Sequence, residues 1–168
     1  MRKPHAILGS AIFFVIAPLL FAGFVPAWIS RWRMQPAFLG LEWTRAAGAM
    51  LLLAGIAGLA DSFARFALQG LGTPAPIAPP TRLVVTGLYR FVRNPMYVAV
   101  LATIFGQALL LADWRLIPYG AAFWLATHLF VLFYEEPRLA RDFGAEYAAY
   151  SAGVQRWIPR ITPWRRRQ

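Results

Sequence analysis

Four long apolar stretches constrain this chain more than any other feature of its sequence. They cover about residues 6–29, 43–68, 95–111 and 116–134. A helix needs roughly 20 mostly apolar residues to cross a bilayer, because its backbone polar groups must be satisfied within the segment. With 59% hydrophobic and 14% charged residues, the chain is too apolar for an ordinary soluble domain. We therefore predict an all-α membrane protein with about four transmembrane helices.

The 168 residues are expected to form a single membrane domain. Residues 1–69 hold two spans, and residues 70–168 hold a helical hairpin followed by an amphipathic C-terminal helix on the cytoplasmic surface. Only residues 113–115 link the third span to the fourth, so these two spans should run antiparallel with their outer ends on one side. That arrangement predicts that residues 83–97 lie beside residues 134–150.

The net charge of +10 comes from arginines at the ends of the apolar stretches, which favours contact with membrane lipids over nucleic acid. Most of the 17 lysines and arginines fall on the side of the two termini. The positive-inside rule then predicts an integral protein of a bacterial inner membrane with both termini cytoplasmic. Without cysteine and with only His5 and His128, far apart, no metal site is expected.

Two polar, aromatic blocks interrupt this apolar chain, and they are the candidates for function. Asn94 precedes Pro95, which is the usual pattern of a helix start. Glu135 and Glu136 end the last apolar stretch, where two carboxylates are costly unless they are paired or bind a cation. The blocks therefore predict either structural ion pairs or a site for a cationic ligand.

These blocks resemble a family of integral-membrane methyltransferases that includes isoprenylcysteine carboxyl methyltransferase and the phospholipid N-methyltransferases. The resemblance covers about residues 70–163. It is carried by Leu83, Val84, Gly87, Tyr89, Arg93, Asn94, Pro95, Tyr97, Glu135, Glu136, Leu139, Phe143, Gly144, Tyr147, Tyr150 and the closing residues 154–159. Family members often have His in place of Asn94 and Gly in place of Ala99, so an acid-base role at position 94 is not expected.

The resemblance implies transfer of a methyl group from S-adenosylmethionine to a lipophilic acceptor that enters from the bilayer. It further implies a cofactor pocket at the cytoplasmic end of the last two helices, with Arg93 and Glu136 in the catalytic roles. The pocket would be lined by Tyr89, Arg93, Asn94, Pro95, Tyr97, Glu135 and Glu136 and closed by Tyr147 and Tyr150. The acceptor is either a carboxylate, with an arginine as its clamp, or a lipid amine, for which a glutamate would act as base.

Two other functions fit parts of the pattern. The C-terminal part of membrane sterol reductases is similar and would bind a reduced nicotinamide cofactor, although the two glutamates would repel its phosphate. A non-catalytic membrane scaffold would use the same charges only as ion-paired caps. Structural roles are expected for Gly48 and Gly55 in helix packing, for an Asp61–Arg65 ion pair, and for His128 as a hydrogen-bonded core residue.

Overall fold

A computed structural model describes residues 16–69 and 83–165, apart from the side chains of residues 66–69. Within those ranges the protein is helical and has no strand. The helices are α1 (Ile16–Ser30), α2 (Trp43–Gln69), α3 (Pro95–Leu111), α4 (Leu116–Phe130) and α5 (Glu136–Gly153). Short 3₁₀ turns cover Phe38–Gly40 and Gly87–Arg90. The all-α prediction is confirmed for the described part of the chain.

Two helices are long and apolar enough to cross a membrane, namely Trp43–Arg65 and Leu116–Gly153. Their apolar windows are only 17% and 22% buried, so most of their apolar surface faces outward and needs an apolar environment. Helices α1 and α3 are apolar but shorter. The prediction of four full spans thus stays a prediction, and its residues 6–15 and the loop at 70–82 lie outside the described residues.

The expected break between a fourth span and a separate C-terminal helix is not present. The helical backbone continues from α4 through a π-helical turn, Val131–Glu135, directly into α5. A π turn adds a residue without interrupting the hydrogen bonding, and here the N–H of Glu136 donates to the carbonyl of Val131. The backbone instead departs from helical geometry at Gly144, where φ is +47°, a conformation open to glycine.

The described residues form two compact units. The bundle unit comprises Ile16–Leu59 and Met96–Thr127, and the polar unit comprises residues 60–69, 83–95 and 128–165. In the bundle unit, a core of Ala22, Val100 and Ile104 packs against Leu59, Tyr119 and Phe123.

Glycines set the helix spacing in the bundle unit. A Cβ atom on Gly48 would lie 2.4 Å from the backbone nitrogen of Leu110, and one on Gly55 would lie 2.5 Å from the Thr103 hydroxyl. Helices α2 and α3 therefore approach backbone to backbone, as the small residues predict. The Gln107 amide donates to the Ala22 carbonyl at 2.7 Å and so satisfies a buried polar group inside this apolar unit.

The link between α3 and α4 is as short as the sequence predicts. Helix α3 ends at Leu111 and is followed by Ala112, whose φ is +55°. The N–H of Asp113 donates to the Ala108 carbonyl at 3.0 Å, the pattern of a Schellman cap. The Asp113 carboxylate then accepts from the backbone N–H of Arg115 at 3.1 Å and starts α4. The Gly120 backbone lies beside the ring of Phe105, as expected for two antiparallel neighbours.

The polar unit has its own core on one face of α5. Tyr147, Tyr150 and Val154 are buried there, and the partly buried residues around them are Leu83, Val85, Leu139, Phe143 and Trp164. These residues come from both predicted blocks and from the chain after α5. The core therefore brings the 83–97 block beside the 134–150 block, as predicted.

Candidate functional site

The segment from residue 154 to residue 164, named the C-terminal strap, is hydrogen-bonded to residues 90–94. Three backbone hydrogen bonds join them: Arg93 N–H to Gln155 O at 2.9 Å, Arg160 N–H to Phe91 O at 2.9 Å and Trp164 N–H to Arg90 O at 2.8 Å. The Asn94 side-chain amide also donates to the Arg156 carbonyl at 3.1 Å. These bonds position Arg93 and Arg156 next to the start of α5.

Glu136 is the centre of the charged cluster. Its two oxygens accept from Nε and Nη2 of Arg156, both at 2.7 Å. Nη1 of Arg93 lies 3.2 Å from Oε1 of the same carboxylate. This hydrogen bonding raises the pKa of the Arg156 guanidinium. The cost of a carboxylate at this position is offset by two cations, and the Glu136 oxygens are largely used.

Two tyrosines fix the other side of Arg93. The Tyr147 hydroxyl accepts from Arg93 Nη1 at 3.2 Å, and the Tyr150 hydroxyl donates to the Tyr89 carbonyl at 2.6 Å. The Tyr150 ring meets that of Trp164 edge to face at 5.5 Å. The aromatic residues therefore hold the cluster rigidly, and Tyr89 contributes its backbone carbonyl to these bonds.

Two polar atoms of the cluster are shielded from solvent. Nε of Arg93 is buried and has no hydrogen-bond partner among the described residues. Oε2 of Glu135 is buried as well, since the π turn carries Glu135 into the polar unit. A buried guanidinium donor without a partner is costly, and one explanation is that a ligand with an oxygen acceptor binds there.

The 3₁₀ turn that carries Tyr89 is held by an ion pair from the end of α2. The Asp61 carboxylate accepts from Nε and Nη2 of Arg65 at 2.8–3.0 Å and also from the backbone N–H of Leu88. The guanidinium lies against Gly87, where a Cβ would come within 1.7 Å of Arg65 Nε. Gly87 also has φ of +55°. The predicted ion pair is present, and it positions the turn.

His128 is hydrogen bonded, as predicted, but it is half-buried rather than part of the core. Its Nδ1 accepts from the indole N–H of Trp157 at 3.0 Å, which fastens the C-terminal strap to the end of α4. The strap thus has contacts on both sides, with residues 90–94 and with His128.

The predicted site residues fall into two groups. Tyr89, Arg93, Asn94, Glu135, Glu136, Tyr147 and Tyr150 meet in the polar unit. Pro95 starts α3, and Tyr97 lies on the part of α3 that belongs to the bundle unit, so their role in the site stays a prediction. Within residues 16–69 and 83–165, no group of three or more metal-ligating side chains is found.

Sequence reasoning missed the importance of Arg156, Trp157 and Trp164. They lie in irregular backbone, where no helical or strand periodicity marks which side chains face inward. The positioning role of Asp61 was also missed, although its spacing from Arg65 predicted the pair. The only sequence signal for Arg156 was its place in the closing residues 154–159.

A family model described as phospholipid methyltransferase matches residues 43–146 of the chain. The matched range contains Asp61, the 93–97 segment and both glutamates of the cluster, and it ends just before Tyr147. Comparison with the curated proteins gives no match. The C-terminal strap therefore lies beyond the family match, although it supplies Arg156 to the cluster.

Proposed function

The protein belongs to the phospholipid methyltransferase family, and from this membership we propose that it transfers a methyl group from S-adenosylmethionine to a lipophilic acceptor at the membrane. The observation that carries the proposal is Nε of Arg93, which is buried and has no hydrogen-bond partner among the described residues. A guanidinium N–H in this state is a donor for an acidic group of a ligand.

The cluster fits the charged end of S-adenosylmethionine. Nε of Arg93 would hold its carboxylate, and Glu135 would hold its ammonium group. When bound, this cofactor supplies an electrophilic methyl group, which the lone pair of the acceptor takes as the carbon–sulfur bond breaks. The residues named here bind and orient, and Tyr147 keeps Arg93 in place.

Glu136 is a positioning residue in this proposal rather than a base. Both of its oxygens accept hydrogen bonds from Arg156, and Oε1 is also close to Arg93, so little capacity is left for a proton from an acceptor. A carboxylate acceptor needs no base, because methylation of its oxygen releases no proton. An amine acceptor loses a proton, and Glu135, which already holds the ammonium group of the cofactor in this proposal, is not assigned as its base.

The experiment is a titration of the detergent-purified protein with S-adenosylhomocysteine, followed by thermal stability and by calorimetry. Wild type should be stabilised in a concentration-dependent way. Arg93→Lys keeps the charge but loses the Nε donor, so the affinity should fall about tenfold. Arg141→Lys, on an exposed part of α5, is the matched control and should bind like wild type.

Three outcomes would contradict the proposal. Equal S-adenosylhomocysteine affinity of the two lysine variants would show that Arg93 Nε does not contact the ligand. Stabilisation by reduced nicotinamide dinucleotide phosphate and not by S-adenosylhomocysteine would favour a reductase. Binding of neither compound would favour a scaffold in which the cluster is only an ion-paired cap.

A further inference from the structure

A groove of about 540 Å³ lies on the polar unit. Helix α5 forms one wall and the end of the chain forms the other. The lining residues are Ala145, Glu146, Ala149 and Gly153 on the helix and Arg160, Pro163, Trp164 and Arg165 opposite. The helical wall is a different face of α5 from the one that buries Tyr147 and Tyr150. Trp164 lies between the two, because it lines the groove and its ring also meets that of Tyr150.

The wall opposite the helix is fixed in place. Arg90 and Trp164 are joined by two hydrogen bonds, from Trp164 N–H to the Arg90 carbonyl at 2.8 Å and from Arg90 Nε to the Trp164 carbonyl at 2.9 Å. The Arg160 backbone N–H donates to the Phe91 carbonyl, and its guanidinium donates to the Gly153 carbonyl. The groove is therefore built by the fold itself and does not depend on a loose chain end.

The charges of the groove favour an anion. Arg160 and Arg165 outnumber the one carboxylate, Glu146, and a guanidinium matches the geometry of a phosphate group.

The neighbours of the groove favour a lipid over a soluble anion. Ile158 and Ile161 of the same segment are 68% and 99% exposed, on either side of Arg160. Two outward isoleucines beside a tryptophan and arginines are the composition of a membrane interface, where apolar side chains contact acyl chains and the guanidinium groups stay at the level of the headgroups. A binding site for a small soluble anion does not require exposed isoleucines.

We propose that this groove binds the headgroup of an anionic phospholipid, distinct from the methyl acceptor. Arg160 and Arg165 bind the phosphate, opposite the helical wall with its small residues Ala145 and Ala149. Ile158 and Ile161 contact the acyl chains. The inference does not require methyl transfer, because it rests on residues outside the charged cluster.

The test measures lipid binding directly, by native mass spectrometry of the full-length protein after delipidation in detergent. Dioleoylphosphatidylglycerol should bind more tightly than dioleoylphosphatidylcholine. Arg165→Ala should weaken phosphatidylglycerol binding about fivefold, the fold-change expected for one arginine at a lipid surface, whereas Arg141→Ala should not. Among the described residues, the Arg165 side chain makes no hydrogen bond or ion pair that its removal would break. Ile161→Ser serves as a second variant that should weaken lipid binding through lost acyl contact.

Each contrary result overturns the proposal. Equal phosphatidylglycerol binding by Arg165→Ala and Arg141→Ala would show that the groove does not bind the lipid. Competition by millimolar inorganic phosphate against the lipid, with Ile161→Ser unaffected, would make it a soluble-anion site. Equal retention of the two phospholipids would show that charge plays no part. S-adenosylhomocysteine binding is measured in parallel, and its failure alone would count against the proposed function and not against the groove.

Discussion

The bundle unit and the polar unit are held together by different interactions. In the bundle unit, helices meet at glycines with their backbones nearly in contact, and the close packing of apolar atoms stabilises the arrangement. In the polar unit, half-buried charged side chains pair, as Glu136 does with Arg93 and Arg156, and the C-terminal strap is hydrogen-bonded to residues 90–94. The first kind of unit is sensitive to volume, and the second is sensitive to the removal of single charges or donors.

The largest expected effect is in the polar unit, at Glu136. Glu136→Ala leaves Arg93 and Arg156 facing each other in a half-buried site, where their side chains are 14% and 27% exposed. We expect a loss of about 2–3 kcal/mol in the free energy of unfolding, somewhat less than for a fully buried pair. Chemical denaturation in detergent measures it.

The matched control is Glu42→Ala in the bundle unit. Glu42 pairs with Arg45 at 2.8 Å, but its side chain is 75% exposed, so its loss should cost less than about 1 kcal/mol. Equal costs at the two positions would mean that the cluster is screened by solvent like a surface pair, and the comparison between the units would fail.

The next effect is in the bundle unit, at Gly48. Gly48→Ala puts a Cβ within 2.8 Å of the backbone of α3, so the helices must separate, at a cost of about 1–3 kcal/mol. Gly23→Ala is the control, because nothing lies within 4 Å of its added Cβ. Thermal unfolding of both variants should show a lower midpoint for Gly48→Ala alone. A similar loss in both would point to backbone effects rather than packing.

A third prediction concerns the turn that carries Tyr89. Gly87→Ala combines a left-handed backbone, which costs about 1–2 kcal/mol for a residue with a Cβ, with a clash against the Arg65 guanidinium. Gly40→Ala has φ of +70° and open space around the added atom, so it isolates the backbone cost. The excess at Gly87 should shrink when Arg65 is also changed to Ala. An unchanged excess would show that Arg65 does not hold the turn.

The sequence predicts the bundle unit better than the polar unit, and the reason is physical. Long apolar stretches, a three-residue link and spaced glycines each prescribe a helix or a contact, so α2, α3, their packing at Gly48 and the α3–α4 link follow from pattern alone. The π turn at Val131–Glu135 leaves no such pattern, because the helix continues through it. The prediction that the last apolar helix ends near residue 134 is therefore wrong. Arg156 is placed by backbone bonds of irregular segments, which no periodicity encodes.

The smallest expected effect tests a buried charge in the bundle unit, at Asp113. The Arg115 side chain, hydrogen-bonded to Asp113 at 2.6 Å, holds the pKa of that carboxyl below its usual value. A lowered folded-state pKa means that the stabilisation is present above the unfolded pKa, about 3.9, and is lost as the pH falls through the folded value. Because the Arg115 side chain is 45% exposed, solvent screens the pair and the expected effect is small.

Asp113→Asn keeps a cap for α4 but removes the charge, so its stability deficit relative to wild type should be present at pH 7 and shrink near pH 3. Thermal unfolding at the two pH values measures the deficit. Asp142→Asn is the control, since Asp142 is 45% exposed and 3.7 Å from its partner Arg138, too weak an ion pair to give a measurable change. A deficit at Asp113 that is independent of pH would assign its contribution to the cap geometry instead of the ion pair.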